Sequence, residues 1–367
     1  MPLPRTVVLN GSYLSLRPTG IGQYILNLLR CWQQEGRPLR ALLPEQYLSA
    51  GPKAHSEIVR TPGHLARLGW NQFVLPTKLR KGEVLFNPVP EGSVLSPCPQ
   101  VSTAHDVIPL IFPEFFPRKQ AYFRYLVPAC LRSSTHILCD SAQTRADLVR
   151  FYDLDPAKMS VVPLACDRSR FYPRPVLPER LARYELAPGN YFFYVGAHEP
   201  HKNLARLIEA FAQVAGEWPG VLAIAGAFDP RYTPALVRLT EKLQIAHRVR
   251  WLDYLDPDDL PCVYSAAHAF VFPSLYEGFG LPVLEAMACG TAVLASARGS
   301  LAEVTGEAAV LVEAECPDAI ADGMRQLLEP AVRADYRARG LAQAQRFSWE
   351  RTARTSWELI DKAREET

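Results

Sequence analysis

One pattern governs this chain from end to end: short, unbroken apolar runs alternate with stretches of helical periodicity. In the first half "RTVVLN", "LRALLP", "VLFNP", "PQVSTAH" and "HILCDS" read as strands, and "GIGQYILNLLRCW", "AYFRYLVPACLRSS" and "SAQTRADLVRFY" as helices. Strands that are apolar at every position, without in-out alternation, fit a parallel sheet covered on both faces. Ser141 is the expected N-cap of the helix it opens. The stretch "RFYPRPVLPER", residues 170–180, holds prolines that break the pattern and reads as a linker. A second series follows: strands "NYFFYVGA", "GVLAIAGA", "RVRWLDY", "AFVFPS" and "TAVLAS", and helices "NLARLIEAFAQVA", "PALVRLTEKLQ", "DDLPCVYSAA" and "LPVLEAMACG". The expected fold class is α/β, with two doubly wound Rossmann-like domains. Their expected bounds are 1–172 and 173–348, with a last helix over 349–367.

A chain of 367 residues suits two domains. No apolar run approaches the ~18–20 residues that a membrane span needs. The start, "MPLPRTVVLNGSY", has no charged-then-apolar leader pattern, so cytoplasmic residence is expected. Eight cysteines occur without a C-x-x-C pair, which argues against zinc or redox motifs and for reduced, buried thiols. Net charge is only +2, yet residues 1–170 carry 20 Lys+Arg against 12 Asp+Glu. An anionic partner, such as a phosphate or an acidic membrane surface, is one reading of that imbalance. Charge pairing between domains is the other.

The most informative stretch is "VFPSLYEGFGLPVLEAMACGTAVLAS", Val271–Ser296, where Glu277 and Glu285 stand seven residues apart around a Gly-Phe-Gly-Leu-Pro turn. The turn follows a strand, at the end where open α/β sheets bind ligands. Pro282 suits a first helical turn and Gly290 a helix end. Amides of Gly280 and Leu281 would then lie at a helix N-terminus, a site for a diphosphate. Gly278 and Gly280 would let an anion approach the main chain. Glu285, one turn into the helix, could accept from the paired hydroxyls of a ribose. Glu277, before the turn, could accept from a sugar on the far phosphate.

This block resembles the signature of the retaining glycosyltransferases of family four, which have the GT-B fold: E-x7-E within "SxxEGFGLPxLEAMAxGxPV". "YVGAHEPHKNLARLIEAFA", "ILCDSAQTRADLVRFY", "VVPLACDRSRFYP", "TGIGQYILNLL" and "HDVIPL" extend the likeness over nearly the whole chain. The resemblance implies two domains facing across a cleft, with the C-terminal helix crossing back to the first. It implies that Lys202 neutralises the donor diphosphate and that His105 faces the donor sugar, with Glu277 the third catalytic residue. Asp106 beside His105 could instead cap the next turn. Gly20 and Gly22 would approach the diphosphate, and Gly196, His201, Phe279, Tyr254 and Leu255 complete the donor-binding set, the last two near the base. Phe279 and Tyr276 could equally be packing residues, and Arg206 merely solvated. "LDPDDL", residues 255–260, reads as a helix cap rather than a metal cluster.

The family often has arginine where this chain has Ala197 or His201, which leaves Lys202 as the main cation. The branch containing bacterial O-antigen mannosyltransferases looks most similar. GDP-mannose is therefore the expected donor, a UDP-hexose such as UDP-glucose the alternative, and a saccharide or lipid-linked acceptor the expected partner. No cofactor, metal or nucleic acid is expected. A dehydrogenase would need a full G-x-G-x-x-G directly after a strand, which is missing. A non-catalytic nucleotide-sugar-binding paralogue stays open.

Overall fold

The computed structural model describes residues 6–15, 20–51, 56–61 and 63–365. These form two compact units: residues 1–164 with 348–367, and residues 165–347. The boundary thus falls ahead of the Pro-rich stretch. That stretch belongs to the second unit because its side chains are bound there. Phe171 is buried, Arg170 donates to the Pro257 carbonyl, and Arg180 pairs with Asp259 at 3.2 Å.

In the first unit the strands are β1 (Val7–Asn10), β2 (Leu39–Leu43), β3 (Ser56–Ile58), β4 (Val84–Asn87), β5 (Gln100–Ala104), β6 (His136–Cys139) and β7 (Met159–Val161). They lie in the order β3-β2-β1-β4-β5-β6-β7, every pair parallel. The second unit holds β8 (Tyr191–Val195), β9 (Val221–Ala225), β10 (Val249–Trp251), β11 (Ala269–Phe272), β12 (Val293–Ser296) and β13 (Val310–Val312). Their order is β10-β9-β8-β11-β12-β13, again all parallel. β1, β2, β4, β5, β11 and β12 are buried at every position, as expected for strands covered on both faces. Chain order reverses between β1 and β4 and between β8 and β11. Those two switch points are where such sheets bind ligands.

One expected feature changes. The helix over "AYFRYLVPACLRSS" opens with a π-helical turn, Tyr122–Leu126, before the α-helix Val127–Arg132. The run His64–Gly69, Trp70–Val74, Leu75–Lys78 likewise holds a π turn, Trp70–Val74, ahead of a short α segment. Each π turn is followed within two residues by a proline, Pro128 or Pro76. Proline supplies no N–H and its ring crowds the carbonyl four residues back, so widening the preceding turn relieves both. β3, β7 and β13, three residues each, were not expected from the sequence. Ser141 caps the Ala142–Tyr152 helix as expected, accepting from the Thr144 amide.

The last helix, Trp349–Glu365, belongs to the first unit. Trp32 donates its indole N–H to the Ala353 carbonyl at 2.8 Å, and its ring meets Trp357 edge-on. Thr352 donates to the Pro163 carbonyl. All eight cysteines are free, six of them buried.

Candidate functional site

The second unit gathers most of the expected residues at its switch point. After β8 the chain turns through Pro200–Lys202 and then Asn203, whose left-handed backbone (φ 64°) opens the Leu204–Val214 helix. Buried Asn203 donates its amide to the Pro273 carbonyl at 2.9 Å and the Ala314 carbonyl at 2.6 Å. The Leu275 amide donates to the His201 carbonyl. These bonds lock the loop after β8 to the loop after β11. As a result Lys202 Nζ sits 2.7 and 2.9 Å from the two carboxylate oxygens of Glu277. Both side chains are largely shielded from solvent. Lys202 also lies over the Phe272 ring. An ammonium has three N–H donors; two serve Glu277 and one is left for another acceptor.

The turn itself is held from behind. Ser300 donates its hydroxyl toward the carbonyls of Glu277 and Phe279, at 2.9 and 3.0 Å. Gly280 has φ 105°, and a Cβ there would stand 2.4 Å from Leu301 Cδ2. Glycine is thus required twice over, by backbone conformation and by space. The Leu281–Ala288 helix follows, with proline in its first turn and Gly290 just past its end at φ 73°. Among the described residues, the amides of Gly280 and Leu281 have no hydrogen-bond acceptor. Glu285 is partly buried and accepts from the Tyr264 hydroxyl at 3.1 Å. Burial pushes its carboxyl up to about 7, against the pull of Tyr264 and of Arg170 nearby.

The other expected donor residues are placed as follows. The Gly196 amide is used by the Ala225 carbonyl. His201 is buried and Ala197 exposed. Tyr254 is exposed while Leu255 is buried. The Phe279 ring is buried edge-on to Phe347, so its side chain packs; Gly278 is also buried. Arg206 is not merely solvated: it donates to the Asn203 side chain at 3.0 Å. "LDPDDL" precedes the Leu260–Ala266 helix but gives it no side-chain cap. Asp256 accepts from the Asp258 amide, but Asp259 binds Arg180 and Tyr184. Among the described residues no group of His, Cys, Asp and Glu could hold a metal ion.

In the first unit, His105 follows β5 and is buried. Its Nδ1 is 2.7 Å from Asp140 and its Nε2 2.9 Å from the Pro88 carbonyl. Two acceptors on one ring suit an imidazolium. Burial opposes the charge, but Asp140 and the Pro88 carbonyl outweigh it, and the pKa lies above its ordinary value. The ring also meets Tyr24 edge-on. Asp106 accepts from the Ile108 amide, the capping role. Gly20 begins the Gly20–Gln34 helix and Gly22 is buried in it; Thr19, just ahead, lies outside the described residues. The residues missed from sequence are Asn203, Ser300 and Asp140. Only Asp140 carried a local signal, a carboxylate directly after a buried strand.

Solved structures share this fold over almost the whole chain. A sucrose-phosphate synthase from Thermosynechococcus elongatus matches with TM-score 0.77 and 20% identity, covering 98% of each chain. Anabaena HepE in complex with UDP-glucose matches with TM-score 0.78 and 15% identity, covering 97% of this chain and 99% of that one. The fold is that of the GT-B glycosyltransferases. In sequence, the model of Glycosyltransferase Family 4 matches residues 18–170 and that of Glycosyl transferases group 1 matches residues 183–343. The O-antigen chain mannosyltransferase B of Escherichia coli is 36% identical over 259 residues, 68% of this chain and 67% of that protein. The O-antigen chain mannosyltransferase RfbU of Salmonella typhimurium is 31% identical over 197 residues, 54% of this chain and about half, 52%, of that protein. The chain belongs to glycosyltransferase family 4 and is a glycosyltransferase.

Proposed function

We propose that this chain moves mannose from GDP-mannose to a saccharide or lipid-linked acceptor in cell-surface polysaccharide assembly. The observation that carries the reading is the turn at the β8–β11 switch point. Among the described residues two amides without acceptors, those of Gly280 and Leu281, follow Glu277, which Lys202 holds, and precede Glu285 along the chain. A nucleoside diphosphate sugar fits that order: ribose toward Glu285, diphosphate on the amides, sugar toward Glu277. Mannose as the sugar is supported by the two relatives named as mannosyltransferases.

In the proposed reaction the bond between C1 and the phosphate oxygen breaks while the acceptor oxygen bonds C1 from the same face. The acceptor proton passes to the leaving phosphate. The remaining Lys202 donor and the two amides stabilise the growing negative charge without a metal. A covalent role for Glu277 is disfavoured, because an ammonium on both carboxylate oxygens lowers its nucleophilicity. A UDP-hexose is the second reading; the loop after β10, with Tyr254 exposed and Leu255 buried, is compatible with either base.

The test is a panel of GDP- and UDP-sugars, read by thermal stabilisation and by release of nucleoside diphosphate, with and without EDTA. GDP-mannose should stabilise most and turnover should survive EDTA, with the product bond in the donor's anomeric configuration by NMR. Stabilisation by UDP-glucose alone would replace the donor. Loss of activity in EDTA with recovery in magnesium would overturn metal independence, and an inverted anomer would overturn retention.

A further inference from the structure

Both members of the Lys202–Glu277 pair are fixed by the second unit itself. Lys202 ends the short Pro200–Lys202 turn, and the next residue, Asn203, is bonded to the Pro273 and Ala314 carbonyls. The side-chain oxygen of Asn203 is also used, by Arg206 at 3.0 Å. On the other side the Glu277 carbonyl accepts from the Ser300 hydroxyl at 2.9 Å. A Cβ at Gly299 would stand 3.1 Å from that carbonyl oxygen and 3.3 Å from the Glu277 amide nitrogen, so this segment lies close against the Glu277 main chain. The backbone thus holds the two side chains together. The ammonium directs two of its three N–H donors at the carboxylate, at 2.7 and 2.9 Å.

Little net positive charge is left for a diphosphate. Lys202 and Glu277 cancel. The arginines of the flanking segments serve other partners: Arg206 serves Asn203, and Arg298, beside Gly299, pairs with Glu313 and Glu315 at 3.3 and 3.0 Å. A further carboxylate, Glu199, stands 3.9 Å from His201 Nδ1. Burial, and then Glu277 and Glu199, push the Tyr194 hydroxyl well above its ordinary range, which puts both acids near that ring. A phosphate at the Gly280 and Leu281 amides gains N–H donors but meets a fixed carboxylate three residues back in the chain. In a shielded site that like charge is felt more strongly than in water. It acts unequally on the two nucleotides of the reaction. A nucleoside diphosphate ends in a phosphomonoester with a second ionisation at about 6, so at pH 8 it carries about one negative charge more than the nucleotide sugar. The nucleotide sugar also brings hydroxyls that a carboxylate can accept from, and the free diphosphate brings none there.

We propose that Glu277 competes with the nucleoside diphosphate for Lys202, and so discriminates against the product and speeds its release. The proposal rests on the nucleotide-sugar reading above. With the sugar in place, the carboxylate accepts from sugar hydroxyls while the third N–H of Lys202 serves the phosphate. Once the sugar has gone to the acceptor, the same carboxylate draws the ammonium back and repels the more highly charged product. The experiment is isothermal titration of the full chain at pH 8 with GDP and with UDP, wild type against E277Q, with nucleotide release followed by stopped flow. E277Q should bind the nucleoside diphosphate at least about fivefold more tightly, the order expected for removing one charge from beside a phosphate in a shielded site, and should release it more slowly. Its affinity for the matching nucleotide sugar, measured without acceptor, should not rise. A structural defect would weaken both, so the opposite signs separate this role from damage. E277A removes the charge without adding an N–H donor and should share the gain; a gain in E277Q alone would trace to its new amide and overturn the proposal. On a K202M background E277Q should gain less, because no ammonium is left to free; an equal gain would overturn competition for Lys202. So would an E277Q protein that binds the nucleoside diphosphate no more tightly than wild type. Titrating both nucleotides separates this inference from the choice of donor. A wrong base changes which nucleotide binds, whereas an error here leaves the one that binds indifferent to E277Q. A wild type that binds neither overturns both readings.

Discussion

Replacing Glu285 by glutamine removes a charge that the fold opposes. Its carboxyl lies at about 7 rather than the ordinary 4.5, because burial outweighs the Tyr264 hydroxyl and Arg170. The folded protein therefore holds the Glu285 proton over a pH range in which the unfolded chain has released it. Wild-type stability falls as pH rises from about 4.5 to 7, by at most about 3 kcal/mol for a change of that size. Glutamine has no such loss and still accepts from Tyr264. At pH 8, E285Q should be the more stable protein by about 2–3 kcal/mol, a rise in melting temperature of about 5–10 °C for a unit this large. The difference should shrink toward zero as pH is lowered to about 4.5. The same change exchanges a charged acceptor for a neutral one facing the proposed ribose. GDP affinity should fall by about tenfold or more by calorimetry, and the wild type's gain in affinity between pH 6 and 8 should vanish. Melting curves across pH and isothermal titration at pH 8 read both effects. An E285Q protein no more stable than wild type at pH 8, or a stability difference that ignores pH, refutes the assignment of burial as the dominant influence. Unchanged GDP affinity refutes the ribose contact.

Two further outcomes follow from the same geometry. G280A should cost about 1–3 kcal/mol in urea unfolding, through the positive φ and the contact with Leu301; L301A in the same chain relieves only the contact, so full recovery would disprove the backbone argument. D140N should destabilise by about 1–2 kcal/mol at pH 6, where His105 is charged in both folded and unfolded chains. Since the folded His105 pKa is raised, that loss should fade as pH rises through it, and an equal loss at pH 6 and pH 9 would rule out the ion pair.

The parts of the site that sequence made visible are those encoded locally. A glycine-rich turn between a buried strand and a helix places its own amides, so Gly280, Leu281 and Glu285 were legible from spacing alone. The doubly wound α/β class was legible too, because apolar runs with helical connections leave few sheet topologies open. Contacts between residues far apart in sequence were not. Lys202 and Glu277 stand 75 residues apart, and nothing in either segment says that one holds the other. Asn203 reaches Ala314 across 111 residues, and Ser300 reaches back to the turn through its hydroxyl. His105 was expected to face the sugar; the structure shows both its ring nitrogens bonded within the first unit, a fact that depends on where Asp140 and Pro88 are brought by other strands. The π turns were illegible because their cause, a proline just beyond them, more often signals a helix start or a break.

The first unit is assembled from both ends of the chain, with the second unit threaded between as one continuous stretch, residues 165–347. During synthesis the core around Trp32 lacks Ala353 and Trp357 until the Trp349–Glu365 helix has been made. The second unit has no such wait, since all its strands are contiguous. A nascent chain stalled at Phe347 would thus carry all the strands of the second unit, while the first unit still lacked a helix. That ordering leaves the half that is made first as the half that is finished later, and makes a frameshift just after Phe347 a lesion of the unit that begins the chain.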